Sequence, residues 1–472
     1  MSSAREHVGV TQQVIPEHSI PEVLSWEGLQ PVTRDALMKW HYDSQRKSFR
    51  YTVAFDRVGQ QIAEAGRTSL DRPEMALGWV SGWVVFEALV EWAAKHKDQA
   101  ALDAVFESWG HLLDAGLVSP SGFWWTRYVP PGALSSEIFS SRLPGGFDGN
   151  WMPDPNHLHL RTLGDAVWRA ARTLRRHREI LPIGDDLHAS LLVQARKVAD
   201  LAKEGWPLPM SVDARTGRPA GLHGTAAMIW ISVWCELTRL GSSDFSELIV
   251  DGLEHYRDSV EEGLLFGAPE DVGEALTSED IYIAMNTYAD AFRLLQRTAD
   301  LDTCLKAAQH LYLWRKSFHH EFDQRTLLGV YGLSSQGGDI ASFKNNHLHI
   351  YGLDADETLR FLSEKTGNPR WSCLADDHWA FACQLTPLVD GQFNAYAGMV
   401  TEQFYFIDWS GLGNSVFHME ADQHRAGYDV GPHYRNHGNL AGFSHAWCTA
   451  MVLRVALARA EQAGSERNLP HP

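Results

Sequence analysis

Helix-length apolar stretches recur in pairs along this chain, each pair joined by a short polar break and preceded by a long loop. The spacing of apolar residues predicts helices over 74–95 and 100–113, 157–174 and 186–203, 222–240 and 245–262, 279–298 and 302–319, and 346–366 and 369–385. A last helix is predicted over 440–461, which leaves an N-terminal helix over 33–65 as its partner. The break Thr366-Gly367-Asn368-Pro369-Arg370 shows the logic. Gly367 and Asn368 tolerate the left-handed turn that stops one helix, and Pro369 suits the first turn of the next. The loops before the first member of each pair, 116–156, 204–221, 263–278, 321–345 and 386–438, are long and rich in Gly, Pro, Trp and charge. Short loops at one end and long loops at the other describe a scaffold with one working face.

Paired helices without a convincing strand run predict an all-α fold, a single (α/α)6 toroid with an inner ring of helices inside an outer one. The inner helices must be apolar on nearly all sides, as 222–237 is, because they are covered from both faces. The expected organisation is an N-terminal extension over 1–32, the toroid over 33–463 and a tail over 464–472. An open helical solenoid would show a strict repeat of about 33 or 34 residues, which is absent. One internal echo exists: Asn156-His157-Leu158-His159-Leu160 and Asn346-His347-Leu348-His349-Ile350 both open expected inner helices, so His157 and His347 are expected to face one cavity.

Composition narrows the function. The 472 residues carry 41 Lys+Arg against 59 Asp+Glu, a net charge of −18, which argues against nucleic acid and against a basic membrane-binding role. No signal-peptide pattern opens the chain and no apolar run approaches membrane-spanning length. The five cysteines form no C-x-x-C, so a reduced, cytoplasmic setting is expected. Eighteen Trp and 23 His suit an aromatic, polar cleft. No cofactor motif is present: there is no P-loop, no G-x-G-x-x-G between strand and helix, and no G-x-S-x-G. The run 417–439 holds His418, Glu420, Asp422, His424, His433 and His437, but no specific metal-ligand spacing, and reads as a polar lid. Asp354-Ala355-Asp356-Glu357-Thr358 reads as a helix with solvated acids.

Three segments resemble the six-hairpin glycosidase superfamily, nearest to its glucoamylase-type enzymes. They are 147–170, with Trp151-Met152-Pro153-Asp154; 266–291, with Glu270-Asp271 before a helix; and 401–413, with Glu402-Gln403 and Trp409. The resemblance implies an inverting glycoside hydrolase acting on a small carbohydrate, with Glu402 as the base that activates water and Glu270 or Asp271 as the acid. Pro269 stands where that group carries a Trp. Such chemistry needs two carboxyl groups about 6.5–9.5 Å apart, one kept protonated by its neighbours. Asp213 is the reserve acid. Trp124, Trp125, Trp151 and Trp409 are the expected stacking platforms, and Asp154, His157 and Arg161 share one side of a helix start. A rival reading comes from 342–352, which resembles helical-toroid polysaccharide lyases. It implies β-elimination from a uronide with Asn346, His347 and Tyr351 central and Tyr434 with Arg435 completing the site. A third reading is a non-catalytic helical scaffold, which has no need of loops loaded with Trp and His at one end only.

Overall fold

The computed structural model describes residues 26–467 except 55–71, 79, 132–144, 150–153, 243, 270–274, 325, 343–346, 393–394, 403, 406–438 and 441–442. The helices follow one another as α1 (Trp26–Ala36), α2 (Trp83–His96), α3 (Gln99–Asp114), α4 (Leu160–His177), α5 (Gly184–Glu204), α6 (Ile229–Arg239), α7 (Ser246–Glu262), α8 (Ser278–Leu295), α9 (Thr298–His310), α10 (Asp356–Thr366), α11 (Arg370–Gln384) and α12 (Ala446–Arg467). Helices α2, α4, α6, α8, α10 and α12 form the inner ring: each packs on the next, α10 joining through the 3-10 turn Tyr351–Ala355, and α12 closes the circle on α2. The outer partners α3, α5, α7, α9 and α11 pack on the inner helix that precedes them, and α1 packs on α12. This is the expected (α/α)6 toroid.

Burial explains the assignment of helices to rings. Every residue of α4 from Leu160 to Leu174 is buried, as is every residue of α6 from Ile229 to Leu237. Outer helix α5 instead buries one stripe, with Leu187, Leu191, Ala195 and Val198, and turns acids and lysines outward. The inner helices also approach closely. A Cβ added at Gly164 of α4 would lie 2.5 Å from Ile229 Cγ2 and 3.0 Å from Trp230 Nε1 of α6, so only glycine fits that crossing. The α10–α11 break behaves as the sequence indicates: Gly367 has φ +67° and Pro369 stands just before α11.

Inner helices α4, α6, α10 and α12 begin later than their apolar periodicity indicates, because short strands lead into them. His157–His159 precedes α4, Pro219–His223 and a 3-10 turn precede α6, Leu348–His349 and the 3-10 turn at Tyr351–Ala355 precede α10, and Phe443–His445 precedes α12. Apolar residues at these positions satisfy a strand as well as a helix, which is why periodicity alone extends the helices over them. The N-terminal helix ends at Ala36 rather than continuing to 65. A π-helical turn follows at Leu37–His41, and Tyr42–Asp43, Ser48–Phe49 and Thr52–Ala54 are strands. No described helix is long and apolar enough to cross a membrane.

Candidate active site

The strands place side chains at the end of the ring where the inner helices start. An antiparallel sheet runs in the order Asp339–Ile340, Leu348–His349, Phe404–Tyr405, Asn439–Leu440, and brings His347 and Glu402 to its edge. A second pair, Phe443–His445 on Thr52–Ala54, sets His445 opposite Thr52 at the start of α12. Parallel inner helices that start at one end aim their positive dipole ends there, which favours an anionic group in the pit.

That anion is Glu402. Its Oε2 lies 2.6 Å from His445 Nδ1 and its Oε1 lies 4.0 Å from His347 Nε2. Burial alone would raise the carboxyl, but the opposing pull of His445, and after it of His347, holds it down at about 2. Glu402 is therefore a carboxylate at any physiological pH. His349 is fully buried, and desolvation lowers it to about 3, so it stays neutral. Its Nε2 shares a hydrogen bond of 2.9 Å with Ser278 Oγ at the start of α8.

A second group lies beyond His349. The His347 and His349 rings are 6.2 Å apart, and the His349 ring stacks on Tyr351 with centroids 6.2 Å apart. Arg161 Nη2, in the first turn of α4, donates to Tyr351 Oη at 2.5 Å and to Glu279 Oε2 at 3.1 Å. Burial keeps the Tyr351 phenol protonated far above its usual range. Trp447 of α12 meets the Tyr351 ring edge-on at 5.2 Å. Near Glu279, Asp280 is buried and receives Thr277 Oγ1–H at 2.6 Å. Desolvation pushes its carboxyl up to about 7. On the other flank Tyr51 meets His445 edge-on at 5.4 Å, and the Arg72 guanidinium lies 4.1 Å from the Tyr51 ring centre. Among the described residues no cluster of His, Cys, Asp and Glu is arranged to hold a metal ion.

Of the residues singled out in the sequence, Glu402 and His347 stand together, as do Tyr351 and Arg161, with His349 between the two pairs. Asp154 is used in a turn, its Oδ1 accepting from Asn156 N and Nδ2 at 2.8 Å each, and His157 pairs with Asp213 across a sheet. Glu270, Asp271, Trp151, Asn346, Trp409, Tyr434, Arg435 and the histidine-rich run 417–438 lie outside the described residues.

Three expectations are corrected. Asp213 is not an acid in waiting: it closes an exposed turn by accepting from Arg215 N and from Thr216 N and Oγ1, bonds that keep it ionised. Trp124 is no platform. It is fully buried against Trp109, with Nε1 donating to Ser190 Oγ at 3.1 Å. Asp354 and Asp356 are not solvated but buried, paired with Arg169 and Arg459. Sequence reasoning missed His445, His349, Glu279 and Asp280 as site residues. The signal for His445 was its position: like His159 before α4, it is the last residue before an inner helix.

No family model matches the chain, and no curated protein sequence does. Solved structures do match. A cellobiose 2-epimerase from Bacillus thermoamylovorans is 9% identical with a TM-score of 0.54, over 92% of this chain and all of that one. A D-mannose isomerase is 10% identical with a TM-score of 0.52, over 92% of this chain and 97% of the other. A family 76 glycoside hydrolase from a bovine Bacteroides thetaiotaomicron strain is 9% identical with a TM-score of 0.53, over 93% of this chain and 78% of the other. At such identities the likeness is one of fold: this chain is an (α/α)6 toroid, a fold it shares with a 2-epimerase, an isomerase and a glycoside hydrolase.

Proposed function

We propose that this protein is a carbohydrate-processing enzyme that moves a proton at the carbon next to the carbonyl of a free aldose, an epimerase or isomerase. The observation that carries the reading is that His445 and His347 stand on the two oxygens of one half-buried carboxylate, Glu402, at 2.6 Å and 4.0 Å. A carboxylate held at about 2 is a poor base near neutrality, whereas imidazole suits proton transfer there. Glu402 on Nδ1 fixes the His445 tautomer, leaving Nε2 to take the proton from C2 of the open-chain sugar. His347, on the other oxygen of the same carboxylate, returns it. Positive charge from Arg161, relayed through the protonated Tyr351 hydroxyl, stabilises the enediolate oxygen. The fold likeness to a cellobiose 2-epimerase and a D-mannose isomerase is consistent with this chemistry.

The test is proton exchange. Incubation with D-mannose, D-glucose or cellobiose in D2O is expected to place deuterium at C2 of the reducing sugar, read by proton NMR. His445→Asn and His347→Asn are each expected to abolish it in folded protein. Absence of exchange with every aldose tried removes the proposal.

A second reading is hydrolysis of a glycosidic bond with Glu402 as base. Asp280 favours it, because an acid held near 7 is one that can protonate a leaving oxygen at neutral pH. The fold is also that of a family 76 glycoside hydrolase. Release of new reducing ends without exchange at C2 would select this reading. An unsaturated product absorbing in the ultraviolet would select elimination from a uronide by His347 and Tyr351.

A further inference from the structure

Glu402 ends a stretch of chain, 395–402, that belongs to neither a helix nor a strand. Peptide groups shut away from water in such a stretch need partners from elsewhere. Val400 is fully buried, and both of its peptide groups are taken by side chains next to one inner-helix start. Its N–H donates to Thr449 Oγ1 at 3.1 Å, and its C=O accepts from Ser444 Oγ at 2.6 Å. Thr449 Oγ1 in turn donates to Gly398 O at 3.3 Å. Ser444 and Thr449 bracket His445: one stands just before it, the other about a turn further along α12. Glu402 lies two residues beyond Val400. These hydrogen bonds therefore join the same two stretches of chain that meet in the Glu402–His445 contact.

Thr449 does not bond as a helical threonine commonly does. Thr33, Thr173, Thr238 and Thr366 each donate to the carbonyl four residues back in their own helix. For Thr449 that carbonyl is His445 O, but its hydroxyl leaves the helix for the 398–400 stretch. Threonine is also a weaker helix former than alanine or leucine, so helix propensity does not call for it in α12. The stretch has no slack on its other side. Gly398 has φ +80°, and a Cβ there would lie 2.1 Å from Val32 O of α1. Gly398 N donates to Pro387 O at 2.7 Å, and Met399 packs with Ala36 and Val53. Pressed against α1 and bonded to Ser444 and Thr449, Val400 holds Glu402 at a fixed distance from the start of α12.

We propose that Ser444 and Thr449 are positioning residues for proton transfer, their hydroxyls setting the separation of Glu402 from His445. Both side chains are fully buried, so they act through the pair and not on the sugar. The proposal rests on the reading of Glu402 and His445 as parts of the proton-transfer site.

Two measurements on the full chain test it. The first does not need turnover: the 15N shift of His445 Nδ1, assigned by its change in Glu402→Gln, reports the contact with the carboxylate. The second is kcat and KM for deuterium uptake at C2. Thr449→Val keeps the shape of the side chain and removes its hydrogen bonds. It is expected to move the Nδ1 shift towards the Glu402→Gln value and to lower kcat about tenfold or more with little change in KM, since small misplacements of reacting groups are felt in the rate. Ser444→Ala is expected to act in the same direction, which keeps the proposal testable if Thr449→Val fails to fold. Thr449→Ser retains the hydroxyl and is expected to restore both readouts. Thr173→Val, which removes another buried hydroxyl from α4, is expected to change neither. A wild type without exchange at C2, but with an Nδ1 shift that still moves in Thr449→Val, removes the epimerase reading and leaves the tether standing. An Nδ1 shift and a kcat that stay at wild-type values in Thr449→Val and Ser444→Ala overturn the tether and leave the reading. So does a Thr449→Ser variant no better than Thr449→Val, or a Thr173→Val variant as impaired as either.

Discussion

His445 Nδ1 lies 2.6 Å from Glu402 Oε2, which joins the end of the strand before α12 to a half-buried carboxylate just ahead of the Phe404–Tyr405 strand. The contact has a cost in desolvation that His445, with His347, offsets. Glu402→Gln keeps the shape and removes the charge. It is expected to lower kcat by about 10²–10⁴-fold with a small change in KM, because it disturbs proton transfer rather than binding. Glu402→Asp should recover part of the rate. A wild-type rate in Glu402→Gln would remove both the epimerase and the hydrolase reading.

The same pair makes stability depend on acid. The folded Glu402 carboxyl is held at about 2 against 4.5 when free, so its contribution is present above pH 4.5 and lost as pH falls from 4.5 towards 2. Denaturant melts of wild type and Glu402→Gln should differ by about 2–3 kcal/mol above that window and converge below it. A gap that does not change with pH would contradict the ionised carboxylate.

Asp280 has the opposite sign. Desolvation lifts its folded carboxyl to about 7 from 3.8, so its contribution is complete below pH 3.8 and declines as pH rises to 7. The slope is at most about 1.4 kcal/mol per pH unit. Asp280→Asn keeps an oxygen to accept from Thr277 and is expected to flatten this decline, with a higher Tm than wild type at pH 8 and little difference at pH 4. Equal Tm values at both would mean that the acid is solvated.

The toroid was legible because pairing is written in loop lengths and in which helices are apolar all round; α4 and α6 are buried on every side, as 222–237 indicated. The starts of α4, α6, α10 and α12 were not legible, since residues such as Leu348 and His349 fit a strand and a helix equally well. Glu402 could be singled out because 401–413 resembles a catalytic-base segment. His445 was missed because the expected helix over 440–461 runs through it and hides its place as the last residue before α12. Only pairing with Thr52, from the far end of the chain, brings it to the carboxylate. The axial charges were misread for a related reason. Asp354 looks solvated in sequence, and its partners Arg169 and Arg454 are 185 and 100 residues away.

Gly164 sets the distance between α4 and α6. Alanine would gain about 1 kcal/mol in helix propensity on an exposed surface. Here its Cβ meets Ile229 Cγ2 at 2.5 Å inside a packed ring, and overpacking of this kind costs about 1–3 kcal/mol. Gly164→Ala is therefore expected to lower Tm in calorimetry. A Tm equal to or above wild type would mean that the ring breathes enough to admit a methyl group.

Arg169 is the hub of the axis. Fully buried, it binds Asp165 at 3.1 Å, Glu87 at 3.1 Å and Asp354 at 2.7 Å. Arg169→Met preserves volume and strands these carboxylates unequally. Glu87 keeps Arg172 and Asp354 keeps Arg454, but Asp165 loses its ion-pair partner. The expected loss is about 3–5 kcal/mol at pH 7. Burial already raises Asp165 above its usual range, and without the guanidinium it rises further, so the deficit is smallest at low pH and grows as pH rises. Asp165→Asn in the Arg169→Met background should restore about 1–2 kcal/mol, a coupling that a double-mutant cycle reads directly. Should the second substitution deepen the loss instead, the stranded carboxylate is not its source.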